Sequence, residues 1–230
     1  MAKVSIIMPN YNGAKYIAAA IESVIAQDYT DWELMFCDDC SRDDSVEIVT
    51  RYLNDPRIKL ITNEKNSGAA NCRNMAINQS TGEYIAFLDS DDMWYAQKLS
   101  KQMELFQTTG ANICYTDYYL MPEGEEENLH LISARPKLRY KDLLKGRRFG
   151  ILTAVIKRSI LPENPFVHWR NSEDLSLWLR LMRGGEVAYG VPIPLACYRL
   201  LKNSKSSKKL RLARSIWNIM RKQEALPRWK

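Results

Sequence analysis

Asp89 and Asp91 stand two residues apart, directly after the apolar run Glu83–Leu88, in the segment Asp89-Ser90-Asp91-Asp92. At that spacing in an extended chain, one carboxylate can face a divalent cation while the other faces a neighbouring hydroxyl. Hard cations such as Mg2+ or Mn2+ take oxygen ligands, commonly one or two carboxylates with substrate phosphate and water completing the shell. The competing reading is a solvated turn whose acids favour the start of the next helix. A second pair, Asp38-Asp39, follows the run Glu33–Cys37. A carboxylate there can accept from the N3–H of a uracil or from a ribose hydroxyl. Capping of the following helix by Ser41 or Asp43 is the alternative, and Asp38 could do only that. Arg73, on a helix opened by Gly68, offers a cation for a diphosphate or a salt bridge to a nearby Asp. Glu173 and Asp174 follow Ser172 at the start of an amphipathic helix. The helix dipole and free N–H groups favour an ionised carboxylate there, so the pKa of Asp174 is expected to be held down. It would then be either a general base or a capping-turn acid with no catalytic role.

Acids at strand ends need strands to carry them. Val4–Met8 is a β-rich run stopped by Pro9, and after Asn12-Gly13 the residues Ile17, Ile21, Val24 and Ile25 recur at helical spacing. Glu33–Cys37, Ile58–Ile61 and Glu83–Leu88 read as three further strands. Helices are predicted from about Asp44 to Leu53, with Val46, Ile48, Val49 and Leu53 inward, and from Asn66-Ser67-Gly68 through Ala76 and Ile77. Short strands alternating with helices imply βαβ units and a parallel sheet with right-handed crossovers. Such sheets bind ligands at the carboxyl ends of their strands. Pro9–Asn12, Asp38–Ser41, Asn63–Gly68 and Asp89–Asp92 all fall at such ends and are expected to meet in one crevice.

The second half is less regular. Ile113–Leu120 reads as a strand, Pro122–Asn128 as an acidic turn, and Leu129–Ser133 as a returning hairpin partner. Lys141–Lys145 reads as a short helix, Ile151–Ile156 as a strand, Glu173–Met182 as a helix ended by Gly184-Gly185, and Val187–Tyr198 as a strand interrupted by prolines. No repeat or Pro-, Gly- or Ser-rich linker divides the 230 residues, so one domain over 1–204 with a tail over 205–230 is expected. An apolar share of 46% excludes disorder. No apolar stretch reaches the roughly 18 residues of a spanning helix. The amino terminus reads as a strand, not an export signal. Cys37-Asp-Asp-Cys40 is formally a C-x-x-C, but no second ligand pair stands at zinc spacing, and carboxylates between thiols disfavour the thiolate. Five reduced cysteines in a cytosolic protein are therefore expected. The net charge of +6 divides into +8 for residues 205–230 and −2 for 1–204. Basic character at one end argues against nucleic-acid binding by the whole chain. His130 and His168 have no nucleophile context, and neither G-x-x-x-x-G-K-[ST] nor G-x-G-x-x-G occurs.

Six stretches, in order, resemble the inverting glycosyltransferases of family 2, which have the GT-A fold. They are VSIIMPNYNGAKYI (4–17), SVIAQDYTDWELMFCDDCSRDDS (23–45), NEKNSGAANCRNMAI (63–77), GEYIAFLDSDDMW (82–94), SEDLSLWLRL (172–181) and YRLLKNSKSS (198–207). The resemblance implies an α/β fold with a Rossmann-like, mostly parallel central sheet flanked by helices. Residues 1–92 would be the nucleotide-binding half and 93–204 the acceptor-binding half. It implies Mn2+ or Mg2+ and a UDP-sugar donor. Pro9, Tyr11 and Asp39 would line the nucleoside pocket, with Asp39 on the uracil, and Asn66 and Arg73 would hold base and diphosphate. Asp89 would contact the ribose side, with Ser90 in the same nucleotide-binding set, and Asp91 would bind the metal. Asp174, with Glu173 beside it, would deprotonate the acceptor hydroxyl. One base opposite the leaving group gives a single in-line displacement and hence inversion, while the metal and Arg73 stabilise the departing diphosphate.

The chain departs from the family pattern at two positions. Ala96 stands where the family often has Pro, and Leu201 where many members carry a His that can ligate the metal. The Gln-x-x-Arg-Trp signature of processive synthases is absent, so one sugar per encounter is expected. Trp94, Tyr95 and Trp169 could stack on sugar faces, with core packing the alternative for Trp94. In the tail, Leu210, Ala213, Trp217 and Met220, widened by Leu212, Ile216 and Ile219, form one face of a basic amphipathic helix. Such a helix can lie on the anionic inner face of the cytoplasmic membrane and would suit a lipid-linked saccharide acceptor in bacterial surface polysaccharide synthesis (O-antigen, lipooligosaccharide or capsule). The alternative is packing on the body or on a second subunit of a homodimer. A sugar nucleotidyltransferase would need a Gly- and Arg-rich loop after the first strand, which PNYNGAKY lacks. A non-enzymatic nucleotide-sugar-binding or scaffold protein would not need Asp39, Asp91 and Asp174, all of which are present.

Overall fold

The computed structural model describes residues 2–125, 127–167, 169, 172–201 and 209–226, together with the side chains of those residues except 209–211. Strands β1 (Val4–Asn10), β2 (Trp32–Asp38), β3 (Ile58–Thr62) and β4 (Tyr84–Phe87) pair in parallel in the order β3-β2-β1-β4. Every residue of β1 and β2 is buried, as befits strands covered on both faces. Period-two alternation sorts the core: Ile6 and Met8 enter one apolar cluster and Ile7 the other. The crossovers carry α1 (Ile17–Ile25), α2 (Ser45–Thr50) and α3 (Ala69–Gln79). Helix α2 stops short of the predicted 44–53, and Leu53, expected inward, is exposed, as is Ile25 at the end of α1.

The rest of the sheet is mixed. The elements are β5 (Met93–Trp94), α4 (Lys98–Thr109), β6 (Ile113–Pro122), β7 (His130–Ile132), β8 (Lys137–Leu138), α5 (Tyr140–Leu144), β9 (Val155–Lys157), α6 (Glu173–Arg183) and β10 (Ala188–Leu200). Strand β9 lies between β4 and β6, antiparallel to both. Strand β10 runs parallel to β6, β5 antiparallel to β10, and β7 returns antiparallel on β6 as the expected hairpin. The predicted strand Ile151–Ile156 divides: Ile151–Thr153 form a 3₁₀ turn, and pairing begins at Val155. The β6–β10 register shifts between Val191 and Pro194 and again before Ala196, because Pro192 and Pro194 have no N–H to donate to the ladder. Among the described residues no disulfide joins the cysteines, and no helix is long and apolar enough to cross a membrane.

Helix α7 (Lys209–Asn218) continues into a wider π turn over Ile219–Gln223 and docks on the body. Ile219 is fully buried, and Ile216 and Met220 pack against the core cluster that contains Trp178 and Leu143. Gln223 donates to the Ser176 carbonyl at 3.1 Å, and Glu224 accepts from Tyr140 Oη and Arg183 Nε. Of the apolar face expected for this helix, Ile216, Ile219 and Met220 turn inward while Trp217 remains 52% exposed. His168, the basic residues Lys205, Lys208, Arg228 and Lys230, the side chain of Leu210 and the boundary at 204/205 lie outside what the structure describes.

Candidate active site

The carboxyl ends of β1, β2 and β4 and the start of α3 form one floor. Asp39, buried just beyond β2, donates its N–H to the Asn10 carbonyl at 2.8 Å. Its carboxylate accepts from Ser67 N (2.8 Å), Gly68 N (2.7 Å), Asn63 Nδ2 (2.9 Å) and Ser67 Oγ (3.1 Å). Burial pushes this carboxyl up, but those donors outweigh it and hold the pKa below the ordinary value. Asp39 thus anchors the 63–68 loop, and exposed Asn66 donates to its carbonyl. Gly68 caps α3 at φ +89, which suits a residue without Cβ. Asp38 accepts from Asn10 Nδ2 (2.8 Å) and from Ser41 N (2.8 Å), a structural knot between two loops. Asp43, not Asp38, takes the Ser45 N–H at the start of α2.

Pro9 is buried and Tyr11 is 47% exposed above the floor. Ser90 is buried beneath the loop at Gly13, where an added Cβ would meet Ser90 Oγ at 2.9 Å and Asn10 Oδ1 at 2.2 Å. Close approach of these two loops therefore requires glycine at 13.

Around that floor the predicted acids and the cation meet. Arg73 on α3, itself buried, donates Nη2 to Asp89 Oδ1 at 2.5 Å. Its guanidinium lies 5.4 Å from the Phe166 ring centre, and its Nε has no hydrogen-bond partner among the described residues. Burial opposes the charge of Arg73, but Asp89, Glu173 and Asp174 together raise its pKa. The three carboxylates come from two segments more than 80 residues apart in sequence, so the pairing is tertiary.

Asp91 is half-buried, and burial with the Asp89 charge pushes its pKa up to about 6. Asp92 is fully buried and pushed well up by burial and by Asp91, although Arg199 N donates to its Oδ1 at 2.9 Å. The other Asp92 oxygen has no partner among the described residues. Asp174, expected to be held down by the α6 dipole, is instead raised. Burial outweighs the Leu175 N–H and the charges of Arg73 and Arg148, and Asp89 adds to it. Withdrawal of this helix start from water outweighs the favourable helix dipole.

Among the described residues no cluster of three or more His, Cys, Asp and Glu could by itself hold a metal. The donor set nevertheless suits a hard cation. Asp91 and Asp89 present oxygen ligands, and the raised Asp91 marks negative charge short of compensation. Substrate oxygens would have to complete the shell.

Sequence reasoning missed two contributors. Arg199 on β10 is buried, donates Nε to the Asp91 carbonyl at 3.1 Å and lies 4.5 Å from the Tyr16 ring centre. Its signal was an arginine inside an apolar strand, which needs a partner. Asn74 pairs with the Phe166 backbone in both directions, at 2.7 and 2.9 Å, tying the segment before α6 to the helix of Arg73. Trp94 is core, donating Nε1 to the Leu152 carbonyl at 2.9 Å, while Tyr95 is exposed. A cleft of about 530 Å³ opens beside the 63–67 loop, lined by Lys65, Asn71 and Asn164 among others. None of Asp89, Asp91 and Asp174 lines it, so it is not where these acids act.

The chain is similar to known proteins in sequence and in fold. The family described as Glycosyl transferase family 2 matches residues 5–166. TuaG of Bacillus subtilis (strain 168), named for teichuronic acid biosynthesis as a glycosyltransferase, is 39% identical over 97% of this chain and 89% of its own. WfgD of Escherichia coli, named a UDP-Glc:alpha-D-GlcNAc-diphosphoundecaprenol beta-1,3-glucosyltransferase, is 38% identical over 94% of this chain and 85% of its own. Mannosyltransferase PcManGT of Pyrobaculum calidifontis, solved with GDP-Man and Mn2+, superposes with a TM-score of 0.76 at 19% identity, covering 100% of this chain and 66% of that one. With the sheet, the crevice and these likenesses in agreement, the chain belongs to glycosyl transferase family 2 and is a GT-A glycosyltransferase.

Proposed function

We propose that the enzyme moves one sugar from a nucleoside diphosphate sugar, with UDP as the carrier, to a hydroxyl of a lipid-linked saccharide in bacterial surface polysaccharide synthesis. The reaction inverts the anomeric centre and depends on Mn2+ or Mg2+. The observation that carries this reading is the meeting of Asp89, Asp91 and Asp174 around buried Arg73 at the carboxyl ends of the sheet. The name of TuaG supports the pathway and that of WfgD the lipid-linked acceptor, and TarS of S. aureus, solved with UDP-GlcNAc, shares the fold at a TM-score of 0.76 and 21% identity, covering 90% of this chain and 61% of that one.

Each residue then has a task. Pro9, Tyr11, Asp39 and Asn66 receive the nucleoside, Asp39 through the carboxylate that also orders the 63–68 loop. Asp89 and Ser90 belong to the ribose side. Asp91 holds the metal, which, when bound, neutralises charge on the diphosphate. Arg73 adds a fixed cation to the same end of the cleft. Asp174 takes the proton of the acceptor hydroxyl, with Glu173 beside it; the burial that raises its pKa makes it the stronger base. Arg199 holds the Asp91–Asp92 turn in place. The tail serves attachment to the cytoplasmic face of the membrane.

The decisive experiment measures UDP or GDP release from a panel of nucleotide sugars with a diphospholipid-linked saccharide acceptor, in Mn2+ and in chelator. A UDP-sugar should support acceptor-dependent release that chelator abolishes. Turnover only with GDP-sugars would overturn the donor assignment, and undiminished turnover in chelator the metal.

A further inference from the structure

Positive charge is not confined to the carboxyl-terminal end. Between Arg135 and Arg148 the chain places seven Lys and Arg against the single acid Asp142, a net +6 in 14 residues. With the +8 of residues 205–230 set beside it, everything else in the chain sums to −8. The slightly acidic body inferred from the sequence is therefore an average over a strongly basic strip and a strongly acidic remainder. All seven cations are exposed, and among the described residues the run makes one ion pair, Arg147 with Asp142 at 3.2 Å. So many like charges held close together repel one another unless a partner of opposite sign compensates them.

The strip has two neighbours that fit one kind of partner. Before it, Leu129, Leu131 and Ile132 are all exposed on or beside the edge strand β7, Leu131 at 51%. Exposed apolar side chains on a sheet edge are ordinarily avoided unless something covers them. Alongside it, the docked carboxyl-terminal helix meets α5: Glu224 accepts from Tyr140, and Ile219 and Leu143 share one core cluster. The same docked segment carries exposed Trp217 and the exposed cations Arg214 and Lys222. At its far end, Arg148 lies within electrostatic reach of Asp174. Exposed apolar and basic groups along one stretch of chain, with a basic helix docked on it and Arg148 within electrostatic reach of Asp174, match a bilayer surface rich in anionic headgroups.

We propose that residues 129–148 and α7 together form the face that seats the enzyme on an anionic bilayer, with the 135–148 strip supplying much of the attraction. The strip's cations meet lipid phosphates, while Leu131, Ile132 and Trp217 enter the interfacial layer. The proposal deepens the membrane reading above and rests on it in taking the acceptor to be lipid-linked: the strip then leads from the membrane to Asp174.

The test is flotation of the full chain with phosphatidylcholine vesicles, with and without phosphatidylglycerol. Three proteins are compared: the natural chain, a strip variant (K137Q, R139Q, K141Q and K145Q) and a tail variant (R214Q and K222Q). The four strip positions are exposed, so thermal midpoints should match and report intact folding. The natural chain should float with anionic vesicles only and be released by salt. The strip variant should lose affinity about a hundredfold, since each cation near such a surface contributes strongly. The tail variant should lose less. Strip-variant binding equal to the natural chain, with the tail variant released, would overturn this proposal and leave tail attachment standing. Failure of the natural chain to bind anionic vesicles would overturn both.

Discussion

Carboxylates withdrawn from solvent occupy both ends of the parallel sheet, and Glu33 at one end contrasts with Asp91, Asp92 and Asp174 at the other. At the amino end, Glu33 on β2 accepts from Ser5 Oγ (2.7 Å), Thr81 N (2.6 Å) and Thr81 Oγ1 (3.0 Å), and pairs with Lys3 and Lys59, both at 3.1 Å. Burial pushes Glu33 up, but these partners together bring its pKa far below the carboxylate range. At the carboxyl end, Asp91, Asp92 and Asp174 are raised by burial that their partners do not offset. The same physics gives opposite signs because Glu33, like Asp39 beside the crevice, is given enough donors or cations to offset its burial, whereas Asp91, Asp92 and Asp174 are not. Raised, under-compensated carboxylates in a crevice are candidates for meeting a cationic or hydroxyl-bearing ligand, whereas Glu33, compensated far from the crevice, serves architecture.

The largest effect should come from the under-compensated end. Asp174→Asn removes the proposed base while keeping its shape, and turnover should fall by about 10²–10⁴-fold. Binding of UDP with Mn2+, read by calorimetry, should persist, and the thermal midpoint at neutral pH should hold or rise because a costly buried charge is gone. A loss of midpoint with turnover retained would make Asp174 a structural acid like Glu33 and dissolve the contrast.

Glu33→Gln is the reciprocal experiment. It takes the charge from two lysines and weakens the bonds from Ser5 and Thr81, costing about 2–4 kcal/mol of stability in denaturant unfolding. Turnover per folded molecule should not change. The pH dependence has a definite sign. The folded-state pKa lies far below the unfolded 4.5, so the stabilisation is fully present above about pH 4.5 and is lost progressively on acidification. The natural chain should therefore lose more stability than Glu33→Gln between neutral pH and strong acid, and the two curves should converge there.

How much of this was legible in the sequence follows the same division. The parallel half was readable because β1 to β4 are short, mostly apolar runs ended by polar clusters and separated by helical spacing. The mixed half was less so: β9 is three residues long, and β10 carries two prolines that only the β6 pairing explains. The acids and the arginine that meet in the candidate site could be picked out by type and position, but not the sign of the Asp174 shift. That sign depends on how deeply α6, α3 and the loop after β4 bury the carboxyl, a tertiary quantity. Arg199 escaped notice for the same reason, since its partners Asp91 and Asp92 lie more than 100 residues away.

The smallest expected effect is also the most specific. Asp91 titrates near pH 6 in the fold against 3.8 unfolded. Between those values the folded protein keeps a proton that the unfolded chain has released, so stability falls as pH rises through this window and levels off above it, opposite in sign to Glu33. Asp91→Asn should remove that slope, matching the natural chain near pH 4 and exceeding it modestly in thermal midpoint at pH 7.5. Adding Mn2+ and UDP should reverse the order at pH 7.5, because only the natural carboxylate gains a compensating cation. Below about pH 6 the proton competes for the same oxygens, so Mn2+ affinity in the presence of UDP should drop by about tenfold per pH unit. A natural chain whose midpoint does not respond to Mn2+ and UDP, and which Asp91→Asn leaves unchanged across pH, would mean that Asp91 is already satisfied within the protein, and the two ends of the sheet would no longer differ at that residue.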